Sequence, residues 1–160
     1  MRVIFLGSLV ICLHCHAAAN VEKCPQAYKG LEVRANVSGH VLSRDQPIPV
    51  VVTIHNGSTE AVRLQSYMEL TYHWLNFEVI GPAGKQIPYR GPSYKSIDDG
   101  SRGLTLGPGY SWGRGINDLR DSYDLTKPGR YRLRAIYGVA PGGECVRGSL
   151  VSAPVSFEVR

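Results

Sequence analysis

Apolar and polar residues alternate along much of the chain, with the period of two that is typical of β-strands. The pattern is clearest at residues 31–37, and residues 50–55 form a run rich in β-branched side chains. Because successive side chains of a strand point to opposite faces of a sheet, each such stretch predicts one strand. Further stretches of this kind occupy residues 62–64, 75–79, 87–89, 104–106, 110–112, 131–137 and 155–159.

Turn-forming residues separate these stretches. Asn56-Gly57 ends one predicted strand, and glycine and proline dominate residues 81–84 and 107–109. The chain has 18 glycines and 10 prolines, and only 19% of its residues are charged, which argues against a helical bundle. We therefore predict an all-β protein, an antiparallel β-sandwich of about seven to nine strands. Residues 60–80 contain neither glycine nor proline, and we expect them to be extended or irregular, with at most one helical turn.

The N-terminal residues have the pattern of a secretory signal peptide. Arg2 precedes an apolar run at residues 3–13, and residues 17–19 are three alanines that suit cleavage before Asn20. The apolar run is too short to cross a bilayer of about 30 Å. We expect residues 1–19 to be removed and residues 20–160 to form one secreted or periplasmic domain, with no membrane insertion after cleavage.

Cleavage would leave two of the four cysteines, Cys24 and Cys145, and would lower the net charge from +5 to +4. A pair of cysteines in an exported domain predicts a disulfide, here one that ties the N-terminal segment to the last hairpin. Two free thiols are the alternative.

Leu125, the Pro128-Gly129 turn and Tyr131 have the arrangement of a tyrosine corner. In immunoglobulin-like domains, which this segment resembles, the tyrosine hydroxyl bonds back to the backbone a few residues upstream. The resemblance implies that the sandwich is immunoglobulin-like and that Tyr131 braces the crossover between its sheets.

A wider resemblance covers residues 48–137. Residues 77–79 with 84–95, and residues 106–111 with 119–131, are similar to the non-catalytic β-sandwich domain of secreted deuterolysin-like (aspzincin) metalloendopeptidases. Small bacterial proteinase-inhibitor-type domains are similar too. The chain lacks the His-Glu-x-x-His motif of the zinc peptidase, so the resemblance implies a fold and a protease-related partner but no peptidase activity.

We expect no catalytic centre, no cofactor and no metal site. The three histidines beyond the signal are far apart in sequence, and no G-x-S-x-G elbow is present. Residues 98–101 lack the ligand spacing of a calcium loop. The remaining candidates for chemistry are interpreted as isolated or solvated side chains: His40, His55, His73, Asp118, Asp121 and Asp124.

Arg130, Arg132 and Arg134 form a cationic stripe on one strand face. The stripe is interpreted as an exposed face in solvent, with a docking face for an acidic partner or an anionic cell-surface polymer as the alternative. The net charge is modest and the basic residues are dispersed, so we expect no nucleic-acid partner.

Aromatic residues beside glycines are the best candidates for binding. Trp112 and Tyr94 lie next to glycine-containing stretches, and Tyr110 and Arg114 flank Trp112. The sequence favours an exported, non-catalytic binding module, either a proteinase inhibitor or an accessory domain, that contacts a protein such as a secreted protease through loops at one end of the sandwich. The alternative is a module that binds carbohydrate or an envelope polymer through exposed aromatics. Asn36 and Asn56 begin glycosylation sequons, which matter only in a host that glycosylates exported proteins.

Overall fold

The computed structural model describes residues 30–65, 68, 70, 75–92, 103–139 and 148–160. Within this part of the chain the protein is almost entirely β, with one 3₁₀ turn at Leu119–Asp121. The ten strands are β1 (Leu31–Val37), β2 (Val41–Leu42), β3 (Val50–Asn56), β4 (Val62–Gln65), β5 (Leu75–Ile80), β6 (Gly103–Leu106), β7 (Ser111–Ile116), β8 (Gly129–Val139), β9 (Gly148–Val151) and β10 (Val155–Val159).

The strands form two main sheets that make the layers of a sandwich. One sheet has the order β1-β3-β7 and the other has the order β2-β10-β8-β5, with β9 also paired to β8. Strands β4 and β6 form a separate two-stranded ladder. All pairings between these strands are antiparallel except the short contact between β2 and β10, which is parallel. The predicted all-β sandwich is therefore confirmed.

One hydrophobic core lies between the two sheets. The alternation that predicted β3 buries Val50, Val52 and Ile54 completely, while the residues between them point outward. Strand β8 supplies the opposite face of the core through Tyr131, Leu133, Ala135 and Tyr137. Side chains of β1, β5 and β10 complete the same cluster.

The count of ten strands differs from the expected seven to nine. Strand β2 was missed because it is only two residues long, and β9, Gly-Ser-Leu-Val, was missed because its apolar and polar residues do not alternate. Conversely, the strand expected at residues 87–89 is reduced to isolated bridges at Gln86 and Tyr89. The Ile87 N–H donates to the Val79 carbonyl at 2.8 Å, but Pro88 has no N–H and cannot continue the ladder.

The tyrosine-corner segment has the geometry that its sequence suggests. The Tyr131 hydroxyl donates to the Lys127 carbonyl at 2.6 Å, and the Tyr131 ring stacks on Phe157 with centroids 5.3 Å apart. Gly129 has φ +132, and a Cβ there would lie 2.7 Å from Pro82. Only glycine fits this close approach, which brings the start of β8 against the turn after β5.

Several predictions fall outside the described residues. They concern the signal peptide at residues 1–19, the disulfide between Cys24 and Cys145, Tyr94, His73, the loop at residues 98–101 and much of the segment between β4 and β5. None of the described helical segments is long and apolar enough to span a membrane.

Candidate functional site: the outer edge of strand β7

Asn56, at the end of β3, holds the N-terminal end of β7. Its buried side chain donates from Nδ2 to the carbonyls of Leu106, at 2.9 Å, and Glu60, at 2.8 Å, while Oδ1 accepts the Ser58 N–H. Its backbone N–H donates to the Tyr110 carbonyl at 3.0 Å. The turn after β3 and the turn before β7 are therefore fixed by one residue.

Asp118 performs the same role just beyond the C-terminal end of β7. Its Oδ1 accepts the backbone N–H groups of Ile48, at 3.1 Å, and Arg120, at 3.0 Å. The Arg120 guanidinium donates to Oδ2 at 2.7 Å. These bonds, led by the one from the Arg120 side chain, hold the pKa of the Asp118 carboxyl below its usual value. A charged carboxylate therefore ties the end of β7 to the segment before β3.

Between these two anchors, β7 pairs with β3 and carries two of the four predicted binding residues, with a third directly before it. Trp112 lies opposite Ile54 and Arg114 lies opposite Val52, on the side of the strand that faces the core. Trp112 is half-buried against the core, Arg114 is exposed, and Tyr110, just before the strand, is 70% exposed. The three lie along a strand at the border of a sheet, whereas the sequence placed the contact on loops at one end of the sandwich.

The pairing pattern of β3 shows which way the backbone of β7 points. The Asn56 N–H bonds toward β7, whereas the neighbouring Gly57 N–H bonds to Gly30, on the β1 side. Because these directions alternate along an antiparallel ladder, residues 112, 114 and 116 bond to β3. The N–H and C=O groups of Ser111, Gly113 and Gly115 then point away from β3, toward an edge where the described residues place no further strand.

The outer face of this edge is shaped by two glycines. A Cβ on Gly113 would lie 2.4 Å from the Val52 carbonyl oxygen and 2.7 Å from the Thr53 methyl group, so this position is already filled. A Cβ on Gly115 would meet nothing within 4 Å. Its cross-strand neighbour Val51 is 42% exposed. The backbone at Gly115 is therefore uncovered beside the exposed Val51 side chain.

Among the described residues, no three His, Cys, Asp or Glu side chains converge as a metal site requires. His55 contacts the Ser111 hydroxyl at 3.0 Å, and His40 lies exposed in another turn. Asp118 is the anchor described above, and Asp124 pairs with Arg90 at 3.3 Å.

The arginine stripe of β8 is accompanied by carboxylates. Arg134 lies 3.7 Å from Glu78, and Glu158 lies opposite Arg130 in the ladder. Arg132 has Ser156 and Ile80 as its cross-strand neighbours. This arrangement disperses positive charge along the face instead of concentrating it.

A second concave feature lies where the chain diverges from β5. A cavity of about 410 Å³ is bounded by uncharged residues: Asn76, Phe77, Gln86, Ile87, Pro88 and Tyr89. Beside it, the buried Tyr123 hydroxyl lies 2.6 Å from Asn76 Oδ1 and 3.0 Å from the backbone N and O of Phe77. Burial raises the pKa of Tyr123. The Tyr89 ring packs edge-on against Tyr123, with centroids 5.5 Å apart.

Sequence reasoning missed the anchoring roles of Asn56 and Asp118. It also missed that Val51 is exposed on β3. Asn56 was interpreted as a turn residue and a sequon, but its side chain is fully buried, whereas Asn36 is exposed on β1. The available signal for Asn56 was a polar residue in register with the buried positions of β3. Nothing in the sequence pairs Asp118 with Ile48, because that contact depends on tertiary structure.

No protein-family model matches the chain, and no curated protein matches it. Among solved structures, an alkylpurine DNA glycosylase, AlkC, of Pseudomonas fluorescens bound to DNA is 13% identical with a TM-score of 0.42, over 82% of this chain and 30% of that one. A CARDB domain from Pyrococcus furiosus in complex with di-metal ions is 15% identical with a TM-score of 0.42, over 81% and 87%. A mutant β-glucosidase of Listeria innocua in complex with laminaribiose is 14% identical with a TM-score of 0.38, over 81% and 16%. The chain spans less than a third of the glycosylase, and similarity at this level assigns no function.

Proposed function

We propose that this protein is an exported, non-catalytic binding module that takes an extended segment of a partner protein onto the open edge of β7. The observation that carries the proposal is the row of backbone groups at Ser111, Gly113 and Gly115 that point away from β3. A strand with such a row is a template for a further strand, which gains main-chain hydrogen bonds along its length.

The side chains around the edge support this mode of binding. Tyr110 and Trp112 provide aromatic surface at the border of the sheet, and Arg114 adds a positive charge. Aromatic residues and arginine are enriched where protein interfaces bind tightly. The missing side chain at Gly115 leaves the backbone accessible to an added strand. A secreted protease is the partner class that the sequence resemblance implies.

The test uses linear peptides selected from a displayed random library against residues 20–160. Proline at position 115 removes an N–H that points to the edge, while alanine at the same position retains it. We expect peptides to bind the Gly115→Pro variant about tenfold more weakly than the Gly115→Ala variant, since one lost hydrogen bond costs about 1 kcal/mol and an adjacent one is disturbed.

The peptide provides a matched control. N-methylation at alternate peptide positions should weaken binding only where the N–H points to β7, which gives a period of two. Equal binding to the Pro and Ala variants, or no periodicity upon methylation, would contradict the proposal.

The cavity beside Tyr89 supports a second candidate, a module for neutral carbohydrate. Asn76 and Gln86 offer amide groups that both donate and accept hydrogen bonds, and Pro88 and Tyr89 offer apolar surface for a sugar ring. A glycan array should then show binding that falls upon Gln86→Ala. If Trp112→Ala removes binding instead, the sugar binds at β7 and not in the cavity. An array that shows no binding at all would reject the carbohydrate candidate.

A further inference from the structure

Strand β7 has few of the features that usually protect an exposed edge. Natural edge strands avoid pairing with one another through lysine, proline, bulges or inward-pointing charges. The six residues of β7, Ser-Trp-Gly-Arg-Gly-Ile, include no lysine and no proline, and their one charge, Arg114, lies on the core-facing side. A single charge of this kind leaves the edge able to pair with the same strand of another molecule, and the nearest source of a matching strand is a second copy of this chain.

The positions of the edge-facing groups restrict how two copies can pair. In a symmetric antiparallel pair, hydrogen bonds form when residues that point to the edge lie opposite one another. With Gly113 of both copies on the two-fold axis, Ser111 of each copy lies opposite Gly115 of the other. This arrangement satisfies all three edge-facing residues of β7 in both copies.

The side chains favour the same register. With Gly113 at the centre, Trp112 of one copy lies opposite Arg114 of the other, a pairing of an aromatic ring with a cation that occurs twice. Tyr110 lies opposite Ile116 in the same way. A centre at Arg114 would place two guanidinium groups opposite each other, and a centre at Trp112 would leave Gly115 opposite Gly109, outside the strand.

We propose that two copies of this chain associate through antiparallel pairing of their β7 strands about Gly113, which creates a continuous six-stranded sheet. This inference rests on the proposed function, since both require that the β7 edge accepts a strand. In it, the second copy occupies the edge until the strand of a partner protein replaces it.

Analytical ultracentrifugation of residues 20–160 over a range of concentrations tests the association. Ser111 and Gly115 are exposed and lie opposite each other only between copies. In the variant S111K/G115K, two pairs of lysines face each other, and we expect the dissociation constant of the dimer to rise about tenfold. In S111E/G115K, each glutamate faces a lysine, and we expect the dissociation constant to fall below that of the unmodified chain.

A control separates this local effect from net charge. The variant A83K/A153K adds the same two charges at exposed turns of the other sheet, so it should dimerise more tightly than S111K/G115K. A monomer at all concentrations, or equal dimerisation of the two β7 double variants, would overturn the inference. The proposed function is tested separately by peptide binding to Gly115→Pro and Gly115→Ala, which does not require that the chain dimerises.

Discussion

Strands β1 and β7 flank β3 in the same sheet, and each pairs with that strand alone among the described residues. Strand β1 is held by its side chains. Leu31, Val33 and Val37 are buried, and the strand packs against β8, β9 and β10 in the opposite layer. On its outer face, Arg34 donates to Glu32 at 2.6 Å. This edge therefore combines apolar burial on one face with charges on the other.

Strand β7 is held differently. None of its six residues is fully buried, and two are glycines. Its attachment depends on the ladder to β3, on the partial burial of Trp112 and Ile116, and on hydrogen bonds at its two ends, from Asn56 and Asp118. An edge strand that is anchored in this way can keep Gly113, Arg114 and Gly115 exposed. Most apolar side chains of β1, in contrast, are buried in the core.

The largest effect should come from the anchor at the start of β7. Asn56→Ala removes hydrogen bonds to Leu106 and Glu60 and leaves those carbonyls without this donor. We expect the free energy of unfolding to fall by about 3 kcal/mol, as is typical when a buried hydrogen-bond network is broken. Denaturant unfolding measures this. The matched control is Asn36→Ala on β1, which should change stability by less than about 0.5 kcal/mol because Asn36 is exposed; equal losses would refute the anchoring role.

The second effect contrasts side-chain burial in the two edge strands. Val33→Ala on β1 removes two buried methyl groups and should cost about 2 kcal/mol. Arg114→Ala on β7 removes an exposed side chain and should change stability by less than about 0.5 kcal/mol. Urea titrations of both variants provide the comparison. If Arg114→Ala costs as much as Val33→Ala, β7 is held by its side chains and the distinction fails.

Much of the fold was predictable because burial on one face of a strand leaves a period of two in the sequence. Strands β1, β3, β5, β8 and β10 show that period, and each was predicted near its observed bounds. The elements that were missed carry no such signal. Strand β2 is too short to show a period, and the segment near Pro88 was predicted as a strand because alternation does not report a missing N–H.

The candidate site was predictable only in part. Composition drew attention to Tyr110, Trp112 and Arg114, since aromatic residues beside glycines are unusual in a core. That they lie at the edge of the sheet formed by the described strands depends on which strands are neighbours, and local sequence does not contain that information. The same reason hid the long-range contact from Asp118 to Ile48, which joins residues seventy positions apart.

A smaller effect should come from the anchor at the end of β7. Asp118→Asn keeps a side-chain oxygen but loses the charge that pairs with Arg120, and should cost about 1 kcal/mol at neutral pH. The folded state lowers the pKa of Asp118, so its stabilisation is present above about pH 4 and is lost as the pH falls through the folded-state value. The difference in stability between the two proteins should therefore close below about pH 4. A difference that stays constant from neutral to strongly acidic pH would show that the charge does not stabilise this end.

The smallest effect should distinguish the two glycines within β7. Gly115→Ala adds a methyl group in open space at a residue without positive φ, so reduced freedom of the unfolded chain should stabilise the protein by about 0.5 kcal/mol. Gly113→Ala should have the opposite sign, because its methyl group would collide with the Val52 carbonyl. Thermal unfolding at low protein concentration, where two copies do not pair, measures both variants. A gain at position 115 would show that the fold does not need glycine there. A loss would mean that β7 itself requires glycine at this position.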